Sequence, residues 1–204
     1  TGNGSGAGSA AGTIPQTGKY CTDLRGHWMR TEYLLDREVE LILQLLTPEN
    51  RLVMRTLLHT GLRIGDVLRL KPEQLKPNFW ITEQKTGKRR QVGLPEPLLT
   101  DLRSSADSEW VFPGQRPGKP RTRQAVWKDV KRAAEAMRLT ANAAPHSARK
   151  VYAVELLRKY GDIDRVRRAL NHGGLEVTLI YAMADKQLTA AGRRRRGKPG
   201  RRKA

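Results

Sequence analysis

Apolar residues return at helical intervals along most of the middle of this chain, and give way there to a different pattern in two stretches, 79–94 and 110–123. From Asp36 a 3.6-residue pattern runs through Val39, Leu41, Ile42, Leu45 and Leu46, stops at Thr47-Pro48, and resumes through Leu52, Val53, Leu57 and Leu58. Helical spacing returns over residues 124–139, 146–160, 162–171 and 175–184, with Gly173-Gly174 breaking the last two apart. Between these blocks, Thr60-Gly61-Leu62-Arg63-Ile64-Gly65-Asp66 reads as a turn into a short helix through Val67, Leu68 and Leu70. Residues 79–82 and 91–94 read as two strands flanking Lys85-Thr86-Gly87-Lys88, a glycine-containing hairpin turn that Pro95 follows. Leu98 to Leu102 starts another helix, and Trp110-Val111-Phe112 reads as a third short strand. A Pro/Gly-rich loop bearing Arg116, Lys119, Arg121 and Arg123 comes next.

The two ends differ from the middle. Residues 1–18 are Gly, Ser, Ala and Thr with almost no large apolar side chain, so folding could not repay the entropy of ordering them. They read as a linker, a tail or a remnant, and the absence of an initiating Met fits a piece of something longer. Eight basic residues crowd into positions 193–203, which self-repulsion should keep disordered. The expected organisation is a flexible segment over 1–30, one domain over 31–187 and a basic tail over 188–204.

Charge narrows the partner. The chain carries 39 Lys and Arg against 20 Asp and Glu, a net +19, and setting aside the eight tail cations still leaves +11 on the body. A polyanion is expected, nucleic acid first; charge alone also admits a ribosome or an anionic membrane surface. Aromatics make up 5% of residues, too few for a row of stacking platforms, so the backbone of duplex DNA suits the chain better than single strands. Cys21 is the only cysteine, which excludes an intrachain disulfide and a cysteine-based metal site and fits a reducing compartment. With no apolar run of about 18 residues and no signal segment, the expectation is a soluble cytoplasmic protein, nucleoid-associated when on DNA.

Each polar motif is weak alone. In His146-Ser147-Ala148-Arg149 an i, i+3 spacing sets the His and Arg on one face of a helix opening after Pro145, as any polar first turn would. Arg63 alone reads as a turn cap or a partner for Asp66, and Tyr181 alone as an amphipathic packing residue. Their order carries more: Thr60-Gly61-Leu62-Arg63 with Asp66, a basic hairpin with Lys85, His146-x-x-Arg149, Leu170-Asn171-His172, and Tyr181 nine residues further on. This series resembles the catalytic domain of the tyrosine recombinases, the phage-integrase-type site-specific recombinases. The resemblance extends over roughly Thr31 to Asp185 and includes an opening Tyr33-Leu34-Leu35-Asp36-Arg37-Glu38-Val39. It implies a mainly α fold with a small antiparallel β-sheet at one side. It also implies two arginines (Arg63, Arg149), a hairpin lysine (Lys85), two histidines (His146, His172) and a nucleophile (Tyr181). Double-stranded DNA is the implied partner, bound as a dimer or tetramer, with no cofactor and no metal. Two departures stand out. The family usually carries a helical core-binding domain ahead of the catalytic one, so this is an excised catalytic domain or a clampless variant. Asn171 also stands where a Gly commonly precedes the histidine.

The residue types suit the chemistry implied. Attack by a tyrosine conserves the phosphodiester energy in a 3′-phosphotyrosine, so strands can be exchanged and resealed without ATP. A tyrosine hydroxyl ordinarily titrates near pKa ~10, so a base, most plausibly His146, must help remove its proton. Arg63 and Arg149 offer forked, permanent cations to the non-bridging oxygens of a pentacoordinate phosphorane. Lys85 can protonate the departing 5′-oxygen, His172 can donate to a phosphate oxygen, and Asp66 is expected to orient an arginine or a histidine. Lys88, Arg89, Arg90, Lys119, Arg121 and Arg123 are expected on the DNA backbone. No carboxylate cluster among these motifs suits a two-metal nuclease. Two other readings are a type IB topoisomerase-like nicking-closing enzyme and a catalytically silent DNA-binding module. A denaturant-resistant covalent adduct separates enzyme from binder, and recombination between two marked sites separates recombinase from topoisomerase.

Overall fold

The computed structural model describes residues 31–170; His172, Tyr181, the Gly173-Gly174 break, the helical pattern over 175–184 and both end segments lie outside that range. Seven helices and one hairpin are found among the described residues, namely α1 (Asp36–Leu45), α2 (Pro48–Thr60), α3 (Ile64–Val67), β1 (Asn78–Thr82), β2 (Arg89–Gly93), α4 (Glu96–Ser105), α5 (Arg123–Ala136), α6 (Pro145–Tyr160) and α7 (Ile163–Leu170). A single 3₁₀ turn, Pro72–Gln74, leads into β1. The fold is thus mainly α with a two-stranded antiparallel sheet, as the resemblance implied.

α2 and α6 pack against each other at the centre, and their boundaries follow from local chemistry. Pro48 at the first position of α2 has no N–H to leave unpaired. The residues around this start meet a side chain from α5: Oδ2 of the buried Asp129 accepts from Thr47 N at 3.0 Å, Thr47 Oγ1 at 3.1 Å and Asn50 Nδ2 at 2.8 Å. Asp129 therefore pins the start of α2 to α5 through the Thr47 backbone and two side chains. At its other end α2 stops on Gly61, φ 60°, where a Cβ would stand 2.2 Å from the Tyr152 ring of α6. Both the left-handed backbone and the close approach require glycine. α6 opens on Pro145, and Ser147 Oγ donates to Glu32 O at 2.7 Å, docking this first turn on the segment before α1.

Burial follows the expected faces. Ile42 and Leu46, and Leu52, Val53 and Leu57 of α2, are buried, although Leu45 stays at the surface. In the hairpin Phe79 pairs with Val92 and Thr82 with Arg89, so β2 starts two residues earlier than its apolar pattern suggested. Trp110-Val111-Phe112 is not a strand. Val111 and Phe112 are buried, with Val111 N donating to Leu70 O and Phe112 O accepting from Arg121 N, but the one bridge formed nearby joins Pro113 to Pro120. Proline offers no donor for a ladder, so this apolar run is buried without becoming a sheet.

Removing the Asp129 carboxylate should be felt throughout α2. Burial by itself would raise its pKa, but hydrogen bonds from Asn50, Thr47 and Arg132 more than offset that and hold it below the ordinary aspartate value. A depressed folded-state pKa means stability that is full above the unfolded value of about 3.9 and is lost as the pH falls through the folded one. Asp129→Ala should therefore cost about 2–3 kcal/mol at neutral pH. Thermal unfolding should show the gap between variant and unchanged protein narrowing below pH ~4.

Candidate active site

Two helix ends meet beside the hairpin. The last carbonyls of α2 have no helical donors left and carry the negative pole of that helix, and the Ala169 and Leu170 carbonyls of α7 lie beside them. Arg90, on β2, donates Nη2 to Thr60 O and Nη1 to Ala169 O. Arg149, on α6, donates Nη1 to Gly61 O and Nη2 to Leu170 O, the latter at 2.5 Å. Consecutive carbonyls at each helix end are thus held by two guanidiniums, whose fork suits paired acceptors.

Glu83 sits against this junction. It is fully buried at the end of β1, and its Oε2 lies 2.5 Å from Arg63 Nη1 and accepts from Thr86 Oγ1 at 3.0 Å. Its other oxygen is 3.8 Å from Arg90. Burial pushes this carboxyl up, yet the hydrogen bonds from Arg63 and Thr86 and the Arg63 and Arg149 charges bring its pKa below the ordinary value. The turn itself closes through Glu83 N to Lys88 O, 3.0 Å, and Gly87 N to Glu83 O, 2.8 Å, with Gly87 at φ 65°. Lys85 is exposed within it.

Of the residues singled out in the sequence, Arg63 and the Lys85 turn are brought together by Glu83, and Arg149 reaches the same junction through Gly61 O. His146 is exposed on the first turn of α6, while Arg149, one turn later, is only 3% exposed. Among the described residues the hydrogen bond of Asp66 is to the backbone and not to an arginine or a histidine: its Oδ1 accepts from Gln84 N at 3.0 Å, tying α3 to the hairpin. Two of the cations expected on DNA point elsewhere. Arg90 is the internal clamp just described, and Arg121 turns inward to Asn50 Oδ1 at 3.2 Å and Glu49 Oε2 at 3.7 Å. Each is drawn in by an acceptor on a buried residue, Thr60 for Arg90 and Asn50 for Arg121. Lys88, Arg89, Lys119 and Arg123 remain exposed, Arg89 with its guanidinium over the exposed ring of Trp80.

Glu83 and the inward role of Arg90 escaped the sequence reading, although strand parity carries the signal. Phe79 and Ile81 face the core, and Glu83 continues their alternation; Arg90 precedes the buried Val92 and Leu94 in the same way. A charged residue in phase with a buried face is an ion-pair candidate, and both lie at the same end of the hairpin.

This fold and polar junction define a catalytic domain of one family: residues 32–187 match the model of the phage integrase family, and the chain belongs to it. It is 28% identical over 161 residues to the tyrosine recombinase XerA of Pyrococcus furiosus, covering 72% of this chain and 56% of that protein. In fold it resembles the XerH site-specific recombinase bound to palindromic difH substrate in a post-cleavage complex. That match has a TM-score of 0.61 at 21% identity and covers 78% of this chain and 51% of that one. It likewise resembles a lambda integrase tetramer bound to a Holliday junction, with a TM-score of 0.62 at 18% identity, over 87% of this chain and 52% of that one. The chain spans about half the length of the curated relatives it matches. Among the described residues no helix is long and apolar enough to cross a membrane.

Proposed function

We propose that this chain is the catalytic part of a site-specific recombinase that cleaves and rejoins strands of duplex DNA through a covalent 3′-phosphotyrosine. One observation carries the reading: Arg63 and Arg149, far apart in sequence, meet at one junction, Arg63 on the carboxylate that also holds the turn bearing Lys85 and Arg149 on Gly61 O, two residues before Arg63. In this scheme Tyr181 attacks the phosphorus, His146 assists removal of its proton, and Arg63 and Arg149 stabilise the charge developing on the non-bridging oxygens. His172 donates to a phosphate oxygen and Lys85 protonates the departing 5′-oxygen. Asp66 acts by fixing the start of the hairpin turn. Lys88, Arg89, Lys119 and Arg123 meet the DNA backbone, and the active assembly is a dimer or tetramer on DNA, in the cytoplasm. Exchange between two marked copies of a target site, with a denaturant-resistant protein–DNA adduct formed on the way and undiminished by EDTA, tests the reading. Relaxation of supercoils without exchange would favour a topoisomerase.

The assignment of Lys85 has its own test. Lys85→Ala should slow strand cleavage by about 10²- to 10⁴-fold, the range for a lost general acid. A substrate with sulfur in place of the bridging 5′-oxygen needs no proton to leave, so its cleavage by Lys85→Ala should return nearly to the rate of the unchanged protein. Lys88→Ala should instead show weakened binding that sulfur does not repair. The reverse pattern would transfer the role to Lys88.

A further inference from the structure

We propose that Glu83 is a positioning residue for strand transfer, fixing the Arg63 guanidinium and the Lys85 turn in one spatial relation through a single carboxylate oxygen. Three features carry this. First, Glu83 is wholly removed from solvent while Arg63 keeps 20% of its side chain exposed, so the pair is anchored at the carboxylate and open at the guanidinium. Only Nη1 of Arg63 is bound to Glu83, and the rest of the fork remains to meet an incoming phosphate. Second, the oxygen that accepts from Arg63 also accepts from Thr86, the residue directly after Lys85, so movement of either partner is felt by the other. Third, the carboxylate itself cannot drift. Its backbone closes the turn at both N and O, and its second oxygen faces Arg90, which is tied to the ends of α2 and α7.

Charge explains why a carboxylate stands there. Arg63, Arg90 and Arg149 crowd one region, and without a buried anion between them their repulsion would turn Arg63, the most exposed of the three, toward water. Glu83 holds it inward while leaving its outer face free. A neutral amide at this position would keep an acceptor but lose most of that restraint.

Granted the strand-transfer reading, on which this rests, the test is a double-mutant cycle on the full chain. Adduct formation is followed in single turnover on a duplex carrying the target site, with binding and thermal unfolding measured alongside. Glu83→Gln should form the covalent adduct about 10- to 100-fold more slowly, with DNA binding changed less than about threefold. Added to Arg63→Ala and followed on the bridging-sulfur substrate, which needs no proton from Lys85, the same substitution should slow cleavage no further, because the effect that remains passes through Arg63. An equal loss in both backgrounds, or cleavage by Glu83→Gln at the unchanged rate, overturns the proposal. Should Glu83→Gln fail to fold, Thr86→Val decides: it leaves the buried carboxylate and its bond to Arg63 in place and removes only the hydroxyl that donates to it, and should slow cleavage several-fold on ordinary DNA but not on the bridging-sulfur substrate. An unslowed Thr86→Val overturns the proposal in that case. If the unchanged protein forms no adduct, the strand-transfer reading falls and this one with it; an adduct with no effect of Glu83 removes this one alone.

Discussion

Tyr181→Phe is expected to bind duplex DNA as the unchanged protein does and to form no covalent adduct with it. The substitution deletes one oxygen, the atom proposed to attack phosphorus, so the loss should be complete and not graded. The rival tyrosines differ in what surrounds them. Tyr33 is buried, and that burial, helped by Asp36, raises its pKa above the ordinary tyrosine range, which opposes formation of a phenolate. Tyr160 lies exposed, with the Arg165 guanidinium 3.6 Å from its ring centroid. Tyr152 is the serious competitor, since its ring lies over Gly61, two residues before Arg63. Tyr152→Phe should keep adduct formation. An adduct that survives Tyr181→Phe and vanishes in Tyr152→Phe would move the nucleophile to α6.

The second large effect belongs to Arg149→Lys, because this residue joins architecture to chemistry. A lysine keeps the charge but offers a single point donor that cannot serve the Gly61 and Leu170 carbonyls together as the fork does. Leaving a buried carbonyl without a donor costs about 1–3 kcal/mol, so a loss of roughly 2–4 kcal/mol is expected. The unfolding midpoint should fall by roughly 5–12 °C. Cleavage should fall further than destabilisation explains, by about 10²- to 10³-fold at a temperature where the variant is folded. A variant that melts early yet cleaves at full rate would make Arg149 a clamp only and leave the phosphate to Arg63.

Much of the scaffold was legible because its signals are local. The 3.6-residue spacing of α2, the Pro48 start and the Gly61 stop depend on neighbours a few positions away, and the hairpin showed itself through alternating apolar residues about a glycine turn. What escaped depends on distant partners. Arg90 and Arg121 look like surface cations until Ala169 O, Thr60 O, Asn50 and Glu49 are placed beside them. The Trp110–Phe112 run has the apolarity of a strand, and only the prolines around it show why no ladder forms. Arg63, Arg149 and Lys85 were singled out through their order along the chain, whereas Glu83, just past β1, shows only in its phase with Phe79 and Ile81, and the arginines that explain its burial lie far away in sequence.

The placement of the cations divides them by how they respond to ionic strength. Arg90 and Arg149 spend their charge inside, against helix poles and a buried anion at contact distances well below a Debye length of ~8 Å at physiological salt. Mobile ions cannot enter that space, so the junction holds its geometry in dilute buffer and concentrated brine alike. Lys85, Lys88 and Arg89 stand exposed on one six-residue turn or its edge, where each added ion shortens the distance over which they are felt. Salt therefore weakens the approach of a polyanion while leaving the machinery that would receive it intact.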